Sequence, residues 1–374
     1  MIRRRGFQWS AVLRRVLATL VLLLGCIGSL SSAVAQEASA PDSAEAEASW
    51  FILPNVYYTP ETSVAGGVAG GYFFRMAPGS RPSSVQGAVT VTARRQLLLS
   101  LRPEVFTARD RWHAAGEVFV QDYPDVFYGI GEGTPDALEE EFTARRINVL
   151  AMVERTMWRH LRLGLRYRFR VEQIADVAED GLLATADIPG SGESWLSGAG
   201  VTAVWDARDN LFYPRGGSYV EAYAIGHKAA LGSTFGFGRF VIDARRYVPL
   251  VGRHLLALQG YGEAVAGTAP FTALPILGGT ELMRGYREGR FRDDVLALVQ
   301  SEYRFPIWWR IRGALFASVG DVASRVDAFQ TSEVEVAAGA GLRIRISPED
   351  LNIRIDYAIG REGGALYFTL QEAF

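Results

Sequence analysis

The chain has 374 residues, with 39 basic and 41 acidic side chains, four histidines and one cysteine. Setting aside the five arginines of its first fifteen residues leaves 34 basic against 41 acidic residues, a formal charge of −7, which excludes a basic nucleic-acid-binding surface. If Cys26 leaves with a cleaved N-terminal segment, disulfides contribute nothing to the fold of the remainder.

Arg3, Arg4, Arg5, Arg14 and Arg15 precede an apolar run from Val16 to Ile27, which leads to Ala33, Val34 and Ala35. The run is shorter than the roughly 20 residues a spanning helix needs and ends at small residues, so residues 1–35 are expected to be a signal peptide cleaved after Ala35. Leu23-Leu24-Gly25-Cys26 loosely resembles a lipoprotein cleavage site, but Leu24 is bulky for that position. From Gln36 to Ser49 the chain is Ala, Ser and acid without an aromatic residue, and a disordered acidic leader is expected there.

From Trp50 onward strict alternation recurs. Leu161, Leu163, Leu165, Tyr167, Phe169 and Val171 alternate with Arg162, Gly164, Arg166, Arg168 and Arg170. Leu351, Ile353, Ile355, Tyr357 and Ile359 alternate with Asn352, Arg354, Asp356 and Ala358, and Val334 to Ile346 repeats the pattern. A period of two means strands. Sixteen are predicted, near 50–58, 63–75, 84–94, 96–107, 111–122, 140–154, 159–173, 193–206, 216–228, 233–247, 253–266, 294–305, 310–321, 333–346, 351–360 and 364–374.

Strands of about ten residues, aromatic residues near their ends and an even count fit an antiparallel transmembrane β-barrel over residues 50–374. Hydrocarbon forbids an open sheet edge, so the sheet must close, and sixteen strands enclose a lumen too wide for side chains alone to fill. The connections at about 267–293 and 123–139 are where function is sought. The last strand, with Leu366, Phe368, Leu370 and Phe374, resembles a C-terminal outer-membrane assembly signal, although Glu372 interrupts its apolar face.

Within the segment Leu277 to Pro306, Gly278, Gly279, the triplet Arg284-Gly285-Tyr286, Arg292 and Glu302-Tyr303-Arg304-Phe305-Pro306 resemble the BamA/TamA superfamily of bacterial surface antigens. Asp206, Arg208, Asp209, Asn210, Pro214 and Gly216 look like a second family stretch, as does Tyr123 to Gly133. The resemblance implies a bacterial outer-membrane barrel acting in outer-membrane protein assembly or polypeptide translocation, with its Arg-Gly-Tyr loop folded into the lumen. It implies outer-membrane lipid, the assembly machinery for its own insertion, and client polypeptides or a periplasmic partner as partners. Arg284 is expected to pair with Glu302, which points inward with Arg304. Where the family usually adds an Asp on the next strand, this chain has Ser318, so the second carboxylate is open, Asp321 being one candidate. Relatives that handle polypeptides normally carry POTRA domains before the barrel, and only the leader is available for them here.

Other chemistry finds little purchase. There is no Gly-x-Ser-x-Gly, Walker loop, Gly-x-Gly-x-x-Gly or His-Glu-x-x-His, and His113, His160, His227 and His254 are not spaced as a metal pair, so neither catalysis, a cofactor nor a metal is expected. The inward arginines Arg162, Arg166, Arg168, Arg170, Arg343, Arg345 and Arg354 either line an anion-selective lumen or pair with Glu172, Glu335, Asp356 and the lumen loop; pairing is favoured. A plugged channel for small solutes and a structural barrel are the alternatives in function.

Overall fold

The computed structural model describes residues 49–374 apart from 77–79, 108–109, 132, 136–137, 331–333, 347–349 and 351. The expected signal peptide and all but the last residue of the expected leader lie outside the described residues.

Alternation becomes wall. The strands are β1 (Ser49–Thr59), β2 (Ser63–Phe74), β3 (Ser83–Thr92), β4 (Leu97–Phe106), β5 (Trp112–Phe127), β6 (Glu140–Trp158), β7 (Leu161–Ala175), β8 (Glu193–Asp206), β9 (Gly217–His227), β10 (Phe237–Pro249) and β11 (Leu255–Gly267). After the long loop come β14 (Val295–Trp308), β15 (Ile311–Ala323), β16 (Glu335–Arg345), β17 (Asn352–Gly360) and β18 (Gly363–Leu370). These sixteen form a closed barrel in which each strand is antiparallel to its neighbours, and β12 (Ile276–Leu277) and β13 (Phe291–Arg292) make a separate two-stranded sheet within the loop. The predicted strands correspond to these sixteen one for one.

The solvent preference of the two faces is inverted relative to a water-soluble protein. Arg284, Arg304 and Arg343 are the largest fully buried side chains, while Ile52, Val64, Leu165, Val201 and Phe240 stand exposed. Apolar side chains outside and charges inside are what hydrocarbon around a polar lumen selects. Trp50, Trp112, Trp158, Trp205 and Trp308 are exposed and all lie at the barrel end that carries Ser49 and Phe374, as an interfacial aromatic girdle does.

Two strand ends differ from the sequence reading. Tyr123 to Phe127, taken as loop, continues β5, because it registers against Glu140–Ala144 of β6 and buries Phe127 against Phe142 and Phe271. At the other extreme β18 stops at Leu370, so Phe374 is not on the outward alternating face with Leu366. Gln371 adopts a left-handed φ of 67°, and Glu372 is drawn inward to Arg343 at 2.7 Å. Ala373 and Phe374 then bury against Tyr247, Leu255 and Ala257 inside the barrel. The carboxylate that broke the apolar pattern is the reason the chain turns in.

Candidate functional site

The loop between β11 and β14 folds into the lumen, where Met283, Tyr286, Leu277 and Phe291 pack with the inward Leu296, Leu298, Val322 and Ala337 of the wall. Gly285 permits this approach. Its φ is +114°, and a Cβ there would lie 3.1 Å from the backbone of Ile359 and Gly360. Only glycine combines that dihedral with that contact.

Arg284 is 1% exposed, and its guanidinium forks between two carboxylates: Nη2 donates to Glu302 at 2.7 Å and Nη1 to Asp356 at 2.5 Å. The group also lies 3.5 Å from the centroid of the Phe316 ring, a cation–π contact in a dry setting. The structure thus brings Arg284 and Glu302 together and answers the question of the second carboxylate. Asp356 of β17 supplies it. Ser318 is directed instead to the Ala337 carbonyl at 3.5 Å, and Asp321 accepts the amide of Val322.

The pair belongs to a larger network. Glu302 also accepts from Arg304 (2.8 Å) and Arg343 (3.0 Å), Asp356 accepts from Arg343 (2.5 Å), and Glu372 from Arg343 (2.7 Å). Arg354 donates to the loop carbonyl of Thr280 at 3.1 Å. Burying so many charges is tolerated because each carboxylate has more than one guanidinium, in fork geometry. Tyr286 completes the anchorage: its hydroxyl donates to Glu335 and accepts from the Arg361 amide at 3.0 Å. Tyr367 accepts from the Gly285 amide at 3.0 Å.

The second family-like stretch closes the same network from below. Arg208 is bidentate on Asp206 at 2.9 and 3.0 Å, and Asp209 accepts the amides of Arg215 and Gly216 across the Pro214 turn. That turn carries the buried Tyr213, whose ring lies under Arg304 at 5.3 Å and Arg312 at 4.1 Å. Arg304 also donates to the carbonyl of Phe374 at 3.0 Å. Loop from one end and chain terminus from the other meet on one set of arginines.

Of the four inward arginines of β7, two are ion-paired, Arg162 with Glu154 and Arg166 with Glu221, while Arg170 donates to Asn148 and to the loop carbonyl of Thr272. Asp356, Tyr367 and Glu335 were not foreseen as loop partners. Alternation had put Asp356 and Glu335 on the inner face, but only closure shows that β16, β17 and β18 surround the loop.

At the far side of the loop, the Glu288 amide donates to Glu61 in the β1–β2 turn at 2.8 Å, which ties the loop to the first strand's hairpin. The Glu288 side chain borders open lumen space. Enclosure by the barrel, then the charges of Glu61, Asp125 and Glu281, push its carboxyl up to about 8.

The seam between first and last strands is the weakest join in the wall. β1 registers with β2 from Ser49 to Thr59, yet with β18 at Tyr58 opposite Phe368 alone. That offset sets Leu370, the end of β18, opposite Val56, so Ser49 to Asn55 have no β18 residue beside them.

The Omp85 superfamily domain matches residues 81–374. Among solved structures the chain is similar to BamA from Haemophilus ducreyi lacking POTRA domains 1-3, with a TM-score of 0.61, 12% identity, and coverage of 87% of this chain and 70% of that one. It is also similar to CdiB from Acinetobacter baumannii (TM-score 0.56, 11% identity, 88% and 60% coverage) and CdiB from Escherichia coli (0.58, 11%, 89% and 63%). At these identities the likeness is one of fold, and the chain spans less than two thirds of either CdiB chain. Comparison with curated proteins finds no match. A closed sixteen-strand barrel and a domain match that runs from before β3 to Phe374 make the chain a member of the Omp85 superfamily.

Proposed function

We propose that this barrel resides in a bacterial outer membrane and assembles other outer-membrane proteins or passes polypeptide across, by opening between β1 and β18. The observation that carries the reading is the single registered pair at the seam. In hydrocarbon each unsatisfied backbone group costs several kcal/mol, so the free edges of β1 and β18 are held at a disadvantage that an incoming strand relieves by pairing along them. Strand addition of this kind takes its affinity from main-chain hydrogen bonds and tolerates many sequences. The lumen loop then acts as a brace: anchored to β14, β16, β17 and β18 through Arg284 and Tyr286, and to the β1–β2 turn through Glu288, it holds both sides of the seam. The longest connections lie at the end carrying the lumen loop, which supports a periplasmic side at the end carrying Ser49 and Phe374. There the client polypeptide or a periplasmic partner would meet it.

The test is the outer-membrane proteome of a strain lacking the gene, compared quantitatively with its parent. Selective loss of other barrels or of one surface protein supports the reading. An unchanged proteome sinks it and makes solute conductance in a planar bilayer the next experiment.

A further inference from the structure

The outer wall over β8 to β11 is shaped unlike a plain hydrophobic band. Antiparallel register places outward residues in rows: Ala203, Ala222, Ile242, Gly262 and Ala297 in one, and Val201, Ala224, Phe240, Ala264 and Val295 in the next. Phe240 and Ile242, each about half exposed, form a ridge on β10, and the small residues on either side leave two troughs. Together they open a groove of about 750 Å³ that is almost entirely apolar.

At the foot of the same ridge stands Arg246. It is exposed and outward, and its guanidinium makes no hydrogen bond or ion pair among the described residues. Ser218 of β9 is directly opposite it, and the Trp205 indole donates to the Ser218 hydroxyl at 3.2 Å. Arg246 lies near the end of β10 beside the aromatic girdle, where polar headgroups begin. From Arg246 to Phe240 is six residues, about 20 Å along the strand. With strands tilted roughly 45° this is about 14 Å along the membrane normal, close to half of the ~30 Å hydrocarbon thickness. The troughs, at the rows of Phe240 and Ile242, therefore lie near the midplane, where the acyl chains of a lipid whose phosphate sits at Arg246 end.

We propose that this face binds one anionic phospholipid of the leaflet at the periplasmic end, its phosphate on Arg246 and its two acyl chains ending in the troughs on either side of the Phe240–Ile242 ridge. Charge complementarity selects the headgroup and the pair of troughs suits a two-chain lipid. At the headgroup level an outward guanidinium carries little penalty, and a phosphate can meet it bidentately.

Native mass spectrometry of the purified barrel released from detergent micelles containing equal phosphatidylglycerol and phosphatidylcholine tests this. The expected result is one retained phosphatidylglycerol, with Arg246→Gln lowering its retention about tenfold, as loss of a charge-assisted contact does, and abolishing the preference between the two lipids. Ala224→Leu, which fills a trough, should lower retention of both lipids. Arg246→Gln is an exposed change, and heat-modifiable migration on a gel verifies that each variant is folded. Equal retention of the two lipids by the wild type, unchanged phosphatidylglycerol retention in Arg246→Gln, or no effect of Ala224→Leu in a folded barrel overturns the proposal.

Discussion

Tyr58 of β1 stands opposite Phe368 of β18, the one position at which the first and last strands register. Every other neighbouring pair in the wall holds a run of paired positions, β10 with β11 from Phe237 to Pro249 for example. Amides without a partner exchange readily, and those in a long ladder exchange only on large-scale opening. Hydrogen exchange followed by mass spectrometry should find peptides of β1 and β18 exchanging at least about tenfold faster than those of β10 and β11; equal protection would mean the seam is as closed as the rest.

Arg284→Ala leaves Glu302 with Arg304 and Arg343, and Asp356 with Arg343, so neither carboxylate is orphaned, but the loop loses its charged anchor. Because both carboxylates keep a guanidinium, the cost falls below the about 3–5 kcal/mol of an orphaned buried charge. The loss should appear in denaturant unfolding, and the loosened loop should raise single-channel conductance in a planar bilayer above the wild-type level.

Tyr286→Phe removes one hydroxyl that serves Glu335 and the Arg361 amide together. The buried groups left behind predict a loss of about 1–3 kcal/mol with the ring packing on Phe291 kept. Limited proteolysis should therefore show cleavage in the loop rising less than in Arg284→Ala.

Glu288 gives the account a pH signature. Its carboxyl is raised from an ordinary 4.5 to about 8 in the folded barrel, so between those values the folded state binds more protons than the unfolded one. Stability from this group is thus fully present below about 4.5 and falls as pH rises through about 8. Unfolding midpoints measured from pH 5 to 9 should decline across that window, and Glu288→Gln should flatten the decline.

Much of this was legible in the sequence, because alternation is local: Leu161 to Val171 declares a strand and its two faces without reference to anything else. Arg284 and Glu302 could be matched because a residue motif and an inward parity coincided. Asp356 could not, since its inward position was plain but its neighbour was set by barrel closure over a separation of 72 residues. Phe374 was assigned to the outer face because alternation carries no sign of a chain turning inward; only the interrupting Glu372, read together with the lumen arginines, held that information.

The most direct test locks the seam. Residues opposite one another in an antiparallel ladder lie within disulfide reach, so Tyr58→Cys with Phe368→Cys can join β1 to β18, and Val56→Cys with Gly66→Cys joins β1 to β2 as a control. In a strain with each variant as its only copy, the oxidised seam lock should lower the proteins that depend on this barrel to the level of the deletion strain and a reductant should restore them, while the control lock changes nothing. Parental levels of those proteins under a fully oxidised seam lock would contradict the account.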